Sequence, residues 1–122
     1  MTGQFGKALE DYHDAIEINP KNGFAYNGLA WLRATCPVAS FRNGEEAVKA
    51  ATKACELTNW QIANWIDTLA AANAEMGNFA QAIKYEKQAI AMAGSSEKYL
   101  RLMQRSLSLY ERHEPNHEGQ KQ

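Results

Sequence analysis

The chain has 122 residues, of which 45% are hydrophobic and 22% are charged. Its 13 Lys and Arg residues nearly balance its 14 Asp and Glu residues, for a formal net charge of -1. This balance provides no basic field that would attract a phosphate backbone, which argues against a nucleic-acid partner.

The first predicted element is a helix over residues 4–18, with the sequence QFGKALEDYHDAIEI. Large apolar side chains recur in it every three or four positions, a spacing that gathers side chains on one face of a helix. These side chains belong to Phe5, Leu9, Tyr12 and Ile16. We therefore expect one face of this helix to need a packing partner.

The second predicted unit covers residues 23–58 and contains two helices with an elongated loop between them. The first of these helices is expected at Phe24–Thr35. Asn43, followed three positions later by Glu46, resembles a capping box, which predicts that the second helix begins near Gly44.

The loop inside this unit, PVASFRN at 37–43, supplies residues that the other units lack. It can be a tolerated surface insertion, or it can be a lip that presents Phe41 and Arg42 to a partner. Cys36 precedes the loop in a Cys-Pro pair, a dipeptide also found at some haem sites, but a Pro after a finished helix is the simpler interpretation. With Cys55 the chain has two cysteines, too few for a disulfide framework, and both are expected to be reduced thiols.

The third predicted unit covers residues 62–93, with a first helix at Ile62–Met76 and a second helix that ends at Gly94. A final helix is expected over 96–112, capped by Ser95 or Ser96. Its apolar face consists of Tyr99, Met103, Leu107 and Tyr110. We expect this helix to cover the last unit.

Residues 113–122 are polar and are expected to form a disordered tail. The letters HEPNH at 113–117 match the zinc-protease pattern H-E-x-x-H, in which both histidines lie on adjacent turns of one helix. Pro115 interrupts such a helix, so a solvated tail is the preferred interpretation and no metal site is expected.

Pairs of alanines seven positions apart recur in the three units. The first alanines of these pairs are separated by 39 and then 35 residues, and the pairs are Ala8 and Ala15, Ala47 and Ala54, and Ala82 and Ala89. Small side chains at this spacing allow a neighbouring helix to approach closely.

This pattern resembles the tetratricopeptide repeat, a helix-turn-helix unit of 34 residues written W-x2-L-G-x2-Y, A-x3-F, P. The resemblance covers Gly3–Ala93, about two and a half repeats. The amino-acid sequence of this stretch is similar to a subgroup of bacterial repeat proteins that share an elongated middle unit. Tyr26 and Ile66 replace the Trp of the signature, and Ala30 and Ala70 replace its Gly.

The resemblance implies an all-α fold, a right-handed superhelical stack of helix-turn-helix hairpins with a C-terminal capping helix. It implies a single domain over residues 1–112, in which 4–18 is the lone second helix of a partial repeat. It further implies a non-catalytic scaffold that binds a peptide or protein segment in a concave groove, with no cofactor. On this sequence the groove positions are Asn27, Trp31, Asn64, Asp67 and Glu75. Because no cation is among them, a clamp for a chaperone's terminal carboxylate is not expected.

The partial repeat predicts a homodimer that covers Phe5, Leu9, Tyr12 and Ile16. The alternative is an accessory or regulatory domain excised from a larger enzyme or signalling protein. No segment reaches the roughly 20 apolar residues that cross a bilayer, and no leader pattern is evident, so no membrane partner and a cytoplasmic location are expected.

Overall fold

The computed structural model describes residues 2–118. Within this range the chain forms a one-turn 3-10 helix, Ala39–Phe41, and six α-helices, and it contains no strand. The predicted all-α class is confirmed for these residues. The α-helices are α1 (Thr2–Ile18), α2 (Gly23–Thr35), α3 (Gly44–Leu57), α4 (Ala63–Glu75), α5 (Phe79–Met92) and α6 (Glu97–Glu111).

Three helices begin at an asparagine whose side-chain oxygen accepts a hydrogen bond from the backbone N–H three residues later. These asparagines are Asn22, Asn43 and Asn78. Such a bond satisfies one of the donors that a helix leaves unpaired in its first turn. The predicted capping box at Asn43 is half formed, because the carboxylate of Glu46 pairs with Arg33 of α2 instead of reaching back to Asn43.

Helix α5 is followed by the left-handed Gly94, with φ 70°. Three other helices also end at a residue in the left-handed conformation, namely Asn59 with φ 54°, Gly77 with φ 82° and His113 with φ 60°. At each end, the N–H of this residue bonds to the carbonyl three residues earlier, and the next N–H bonds to the carbonyl five residues earlier. This pair of bonds is the Schellman motif, which terminates a helix and turns the chain back. Glycine adopts this conformation without steric cost, whereas Asn and His are tolerated there.

The helices pack chiefly against their neighbours in the chain. The largest contacts are within the hairpins α2–α3 and α4–α5, and α1, α3 and α5 each pack against the helix that follows them. In addition, α2 packs against α4, and α4 touches α6. The first helices of successive hairpins therefore lie side by side, and together they form a surface that we call the α2–α4–α6 face.

Alanines make up much of the core between these helices. Nine of them are completely buried: Ala30, Ala34, Ala47, Ala51, Ala54, Ala70, Ala72, Ala82 and Ala89. On α1 the equivalent Ala8 and Ala15 are only half-buried. The spacing of small residues thus brings the helices of the two hairpins into close contact. Helix α1, by contrast, makes its extensive contact with α2.

Cys36 and Cys55 are both buried thiols, as expected from the sequence. Among the helices of residues 2–118, none combines the length and the apolar character that a bilayer span requires.

Candidate functional site

A small cleft of about 40 Å³ opens on the α2–α4–α6 face, and we call it the polar cleft. Three helices and the chain that follows α6 contribute to its wall. Its lining residues are Trp31 of α2, Asn64 and Asp67 of α4, Tyr99, Leu102, Met103, Arg105 and Ser106 of α6, and Asn116 and Glu118 beyond α6.

Helix spacing and helix packing bring Trp31, Asn64 and Asp67 together. Asn64 and Asp67 are three residues apart on α4 and so share one face. Because α2 packs against α4, Trp31 is carried to the same place. Asp67 is buried, while Trp31 is half-buried and packs against the main core. The cleft therefore combines an anchored aromatic ring with an amide and a carboxylate.

A buried tyrosine, Tyr110 of α6, lies close to Asp67, Ser106 and Asn116 of the cleft wall and has no exposed surface. Its burial raises the pKa of the phenol well above the usual value, and the negative charges of Glu86 and Asp67 raise it further. The polar side chains of Ser106 and Asn116 nearby oppose this increase. The phenol is consequently held in its protonated form, as a neutral hydroxyl beside the cleft.

The segment after α6 turns back onto the α2–α4–α6 face. The Schellman motif at His113 reverses the chain, and the ring of His113 stacks on Phe79 with 5.1 Å between ring centroids. Three consecutive side chains then contact α6 and α4. The atoms in contact are Asn116 Nδ2 and Ser106 Oγ at 3.4 Å, His117 Nε2 and Glu75 Oε1 at 2.6 Å, and Glu118 Oε2 and Arg105 Nη2 at 3.1 Å.

These contacts differ from the expected disordered tail over 113–118. Asn116 is only 7% exposed, a burial that a free polar tail would not have. The reason is that polar side chains on α4 and α6 provide partners for the tail, which composition alone does not reveal. The rest of the expected tail, 119–122, lies outside the described residues.

The zinc-protease pattern does not form its motif geometry. Helix α6 ends at Glu111, so neither His113 nor His117 is helical. His113 lies on Phe79, whereas His117 contacts Glu75 of α4. The two imidazoles therefore make contacts with different residues and do not form the paired arrangement of the zinc-protease motif.

Glu75, the fifth predicted groove residue, lies at the edge of the polar cleft. One of its carboxylate oxygens contacts His117, and the other lies 3.3 Å from Nε of Arg42. Arg42 also donates from Nη1 to the carbonyl oxygen of Cys36 at 2.6 Å. Glu75 thus links the inserted loop to the C-terminal segment.

The inserted loop is held inward rather than presented as a lip. Arg42 is largely buried between Glu75 and the backbone of Cys36. The ring of Phe41 packs on Phe5 of α1, with 6.0 Å between centroids. One of the two interpretations of this loop made Phe41 and Arg42 available to a partner, and the sequence could not reveal that α1 and α4 contact them.

Asn27, one turn before Trp31 on α2, does not line the polar cleft. Its side-chain oxygen is buried and accepts no hydrogen bond from any described residue. The structure therefore brings three of the predicted groove residues to the cleft, places Glu75 at its edge and leaves Asn27 apart.

A second cleft, of about 220 Å³, lies between α1 and α2, and we call it the N-terminal cleft. Phe5, Ala8 and Tyr12 line its α1 side, and Trp31 belongs to both clefts. The four residues predicted for self-association are half-buried, because Leu9, Tyr12 and Ile16 pack against the main core. The most exposed large apolar residues at this end are Ile18 and Phe24, at 85% and 76%.

The seven other residues of the polar cleft were not predicted as site residues: Tyr99, Leu102, Met103, Arg105, Ser106, Asn116 and Glu118. The spacing of apolar residues in α6 indicated only a face that packs against the last hairpin. Buried Glu86 was also missed, since it occupies a position where the repeat pattern carries an aromatic residue. The signal in the sequence was a glutamate at a repeat position that is normally aromatic, which indicates a polar group inside the core.

Comparison of the chain with protein-family models, with curated proteins and with solved structures finds no match. The resemblance to tetratricopeptide repeats accordingly stays a prediction from sequence.

Proposed function

We propose that the protein is a non-catalytic interaction module, a TPR-like right-handed stack of hairpins that binds a segment of another polypeptide at the polar cleft. The observation that carries this proposal is the docking of residues 116–118 on α4 and α6, beside the cleft, through three successive side-chain contacts. A surface that holds one short polar segment in this way has the groups needed to hold another.

The chemistry of the cleft suits a polypeptide better than a metabolite. Asn64 offers both a donor and an acceptor, Asp67 and Glu75 offer carboxylates, and Arg105 offers a guanidinium. A cleft of about 40 Å³ accommodates the tip of a side chain, whereas drug-sized ligands occupy larger, mostly apolar pockets. Trp31 is a residue type that frequently anchors protein interfaces.

Self-association through α1 is the second part of the proposal, and the N-terminal cleft supports it. Its volume of about 220 Å³ is large enough for several side chains of an approaching helix. Aromatic rings of Phe5 and Tyr12 line it, together with the small residues Ala8 and Gly28. The dimer would place apolar side chains of a second copy against these rings.

Selection from a library of displayed random peptides, with the immobilised full chain as bait, tests the binding proposal. We expect selected peptides to lose about tenfold or more in affinity when Trp31→Ala or Asn64→Ala is introduced, because each change removes a wall of the polar cleft. The control Lys87→Ala alters an exposed residue of α5 and should leave affinity unchanged. Circular dichroism would establish that all three variants remain folded. A selection that yields only peptides insensitive to both cleft variants would overturn the proposal.

A further inference from the structure

The segment Asn116–Glu118 docks on α4 and α6 in the manner of a bound peptide, and its first and last residues form part of the wall of the polar cleft. Its three side chains present an amide, an imidazole and a carboxylate in that order. Each meets a complementary group on the α2–α4–α6 face, a hydroxyl for the amide, a carboxylate for the imidazole and a guanidinium for the carboxylate. Charge and hydrogen-bonding character are thus matched at every position.

Local geometry prepares the segment for this position. The Schellman motif at His113 directs the chain back along α6, and Pro115 restricts the backbone immediately before Asn116. The side-chain oxygen of Asn116 accepts a hydrogen bond from the N–H of Glu118 at 2.9 Å, which closes an Asx-turn. A segment that is already turned loses less conformational entropy when it docks.

Two of the three contacts, those of Asn116 and Glu118, are weak enough for a competitor to replace them. The side chains of Arg105 and Glu118 are 66% and 42% exposed, and exposed ion pairs contribute little to stability. The hydrogen bond from Asn116 to Ser106 is long, at 3.4 Å. Docking is favoured mainly because the segment is tethered beside the cleft, where its effective concentration is high.

We propose that Asn116–Glu118 is an internal ligand of the surface that Glu75, Arg105 and Ser106 form beside the polar cleft, displaced by a polypeptide partner that presents the same order of side chains: an amide, then a base, then an acid. This inference rests on the proposed function, since it identifies the kind of partner and the competing occupant of that site. An Arg or Lys in the partner would suit Glu75 as the base, because both carry the charge that the carboxylate complements.

Nuclear magnetic resonance of the labelled full chain tests whether the segment is docked. The signals to follow are the Trp31 indole N–H and the Asn64 side-chain amide, both in the wall of the polar cleft. We expect the double variant Asn116→Ala, His117→Ala to shift both signals. The control Glu114→Gln changes a residue whose carboxylate pairs with Arg112, away from the cleft, and should leave them in place. Identical spectra for the wild type and the double variant would overturn the inference.

A synthetic peptide with the sequence of 112–118, RHEPNHE, tests the order of side chains. We expect it to bind the double variant about tenfold more tightly than the wild type, because the wild-type segment competes for the cleft. Replacing the peptide's Asn by Leu or its last Glu by Lys should weaken binding, while replacing its second His by Arg should preserve it. Equal affinities for both proteins, or no shift of the cleft signals at millimolar peptide, would contradict the inference.

The two proposals fail in different ways. If displayed peptides bind the cleft equally well in the wild type and in the double variant, the cleft binds polypeptides but the segment is not its competitor. In the opposite case, the double variant shifts the cleft signals and binds the synthetic peptide, but no displayed peptide depends on Trp31 or Asn64. That result would support the internal ligand and contradict the partner-binding function.

Discussion

Asp67, Glu86 and Tyr110 place three ionisable side chains in one buried region between α4, α5 and α6. All three are less than a tenth exposed. Transfer of a charged group into such a region is unfavourable, and each charge there opposes the formation of another negative charge nearby. The raised pKa of Tyr110 follows from both effects, with burial as the larger cause. The phenol of Tyr110, beside the wall of the polar cleft, therefore stays a neutral hydroxyl.

The raised pKa of Tyr110 predicts a loss of stability in alkaline solution. Below the usual phenol pKa of about 10, the folded and unfolded chains both keep the proton, so this residue adds no pH dependence. Above it, the unfolded chain ionises while the folded chain retains the proton, so the free energy of unfolding falls as pH rises.

Tyr110→Phe should reduce this fall, because phenylalanine has no proton to lose. The measurement is urea unfolding at a series of pH values from about 8 to about 11. Tyr99→Phe is the matched control, since Tyr99 is 40% exposed on the same helix, and it should retain the wild-type pH dependence. If Tyr110→Phe and the wild type lose stability in parallel, the explanation of the pKa is wrong.

The start and end of each helix depend on residues that lie close together in the sequence. Asn caps at three starts and left-handed residues at three ends satisfy backbone groups that the helices leave unpaired. Between these ends, completely buried alanines let α3 and α5 lie close to their neighbours. Close approach leaves little space for a larger side chain at those positions.

Ala51→Leu on α3 should destabilise the fold by about 1–3 kcal/mol, because the added atoms have no room between packed helices. Ala51 is completely buried. Lys53→Leu places the same side chain on the exposed side of α3 and should change stability by no more than about 0.5 kcal/mol. Urea unfolding measures both, and equal effects of the two variants would show that α3 does not depend on a small residue at its interface.

At the scale of the whole molecule, the two ends of the row of helices differ. At the C-terminal end, α6 and the segment after it cover α4 and α5. At the N-terminal end, α1 leaves the N-terminal cleft open beside α2, and Ile18 and Phe24 are exposed where α1 is joined to α2. An apolar surface of this kind favours association, since burying it is worth about 25 cal/mol per Å².

We expect the full chain to form a dimer as its concentration increases, measured by light scattering coupled to size-exclusion chromatography. Ala8→Arg, which places a charge in the N-terminal cleft, should shift the equilibrium toward the monomer. Asp14→Arg introduces the same side chain at an exposed position of α1 and should have no such effect. A species that is monomeric at every concentration up to the high micromolar range would refute self-association.

The sequence by itself determined the six helices over the described residues and most of their limits. Caps such as Asn43, the helix stop at the left-handed Gly94 and the alanine spacing all act over a few neighbouring residues, so their effects can be inferred without a fold. The same spacing, with the resemblance, directed attention to Trp31, Asn64 and Asp67, which the structure brings to one cleft.

Only the tertiary structure decided what completes that cleft. A left-handed His113 is an uncommon conformation that no local signal required, yet it turns residues 114–118 back across α6. Arg42 and His117 are far apart in sequence, and only helix packing brings both to Glu75. Contacts of this kind depend on which helix faces lie side by side, and local patterns of residues do not contain that information.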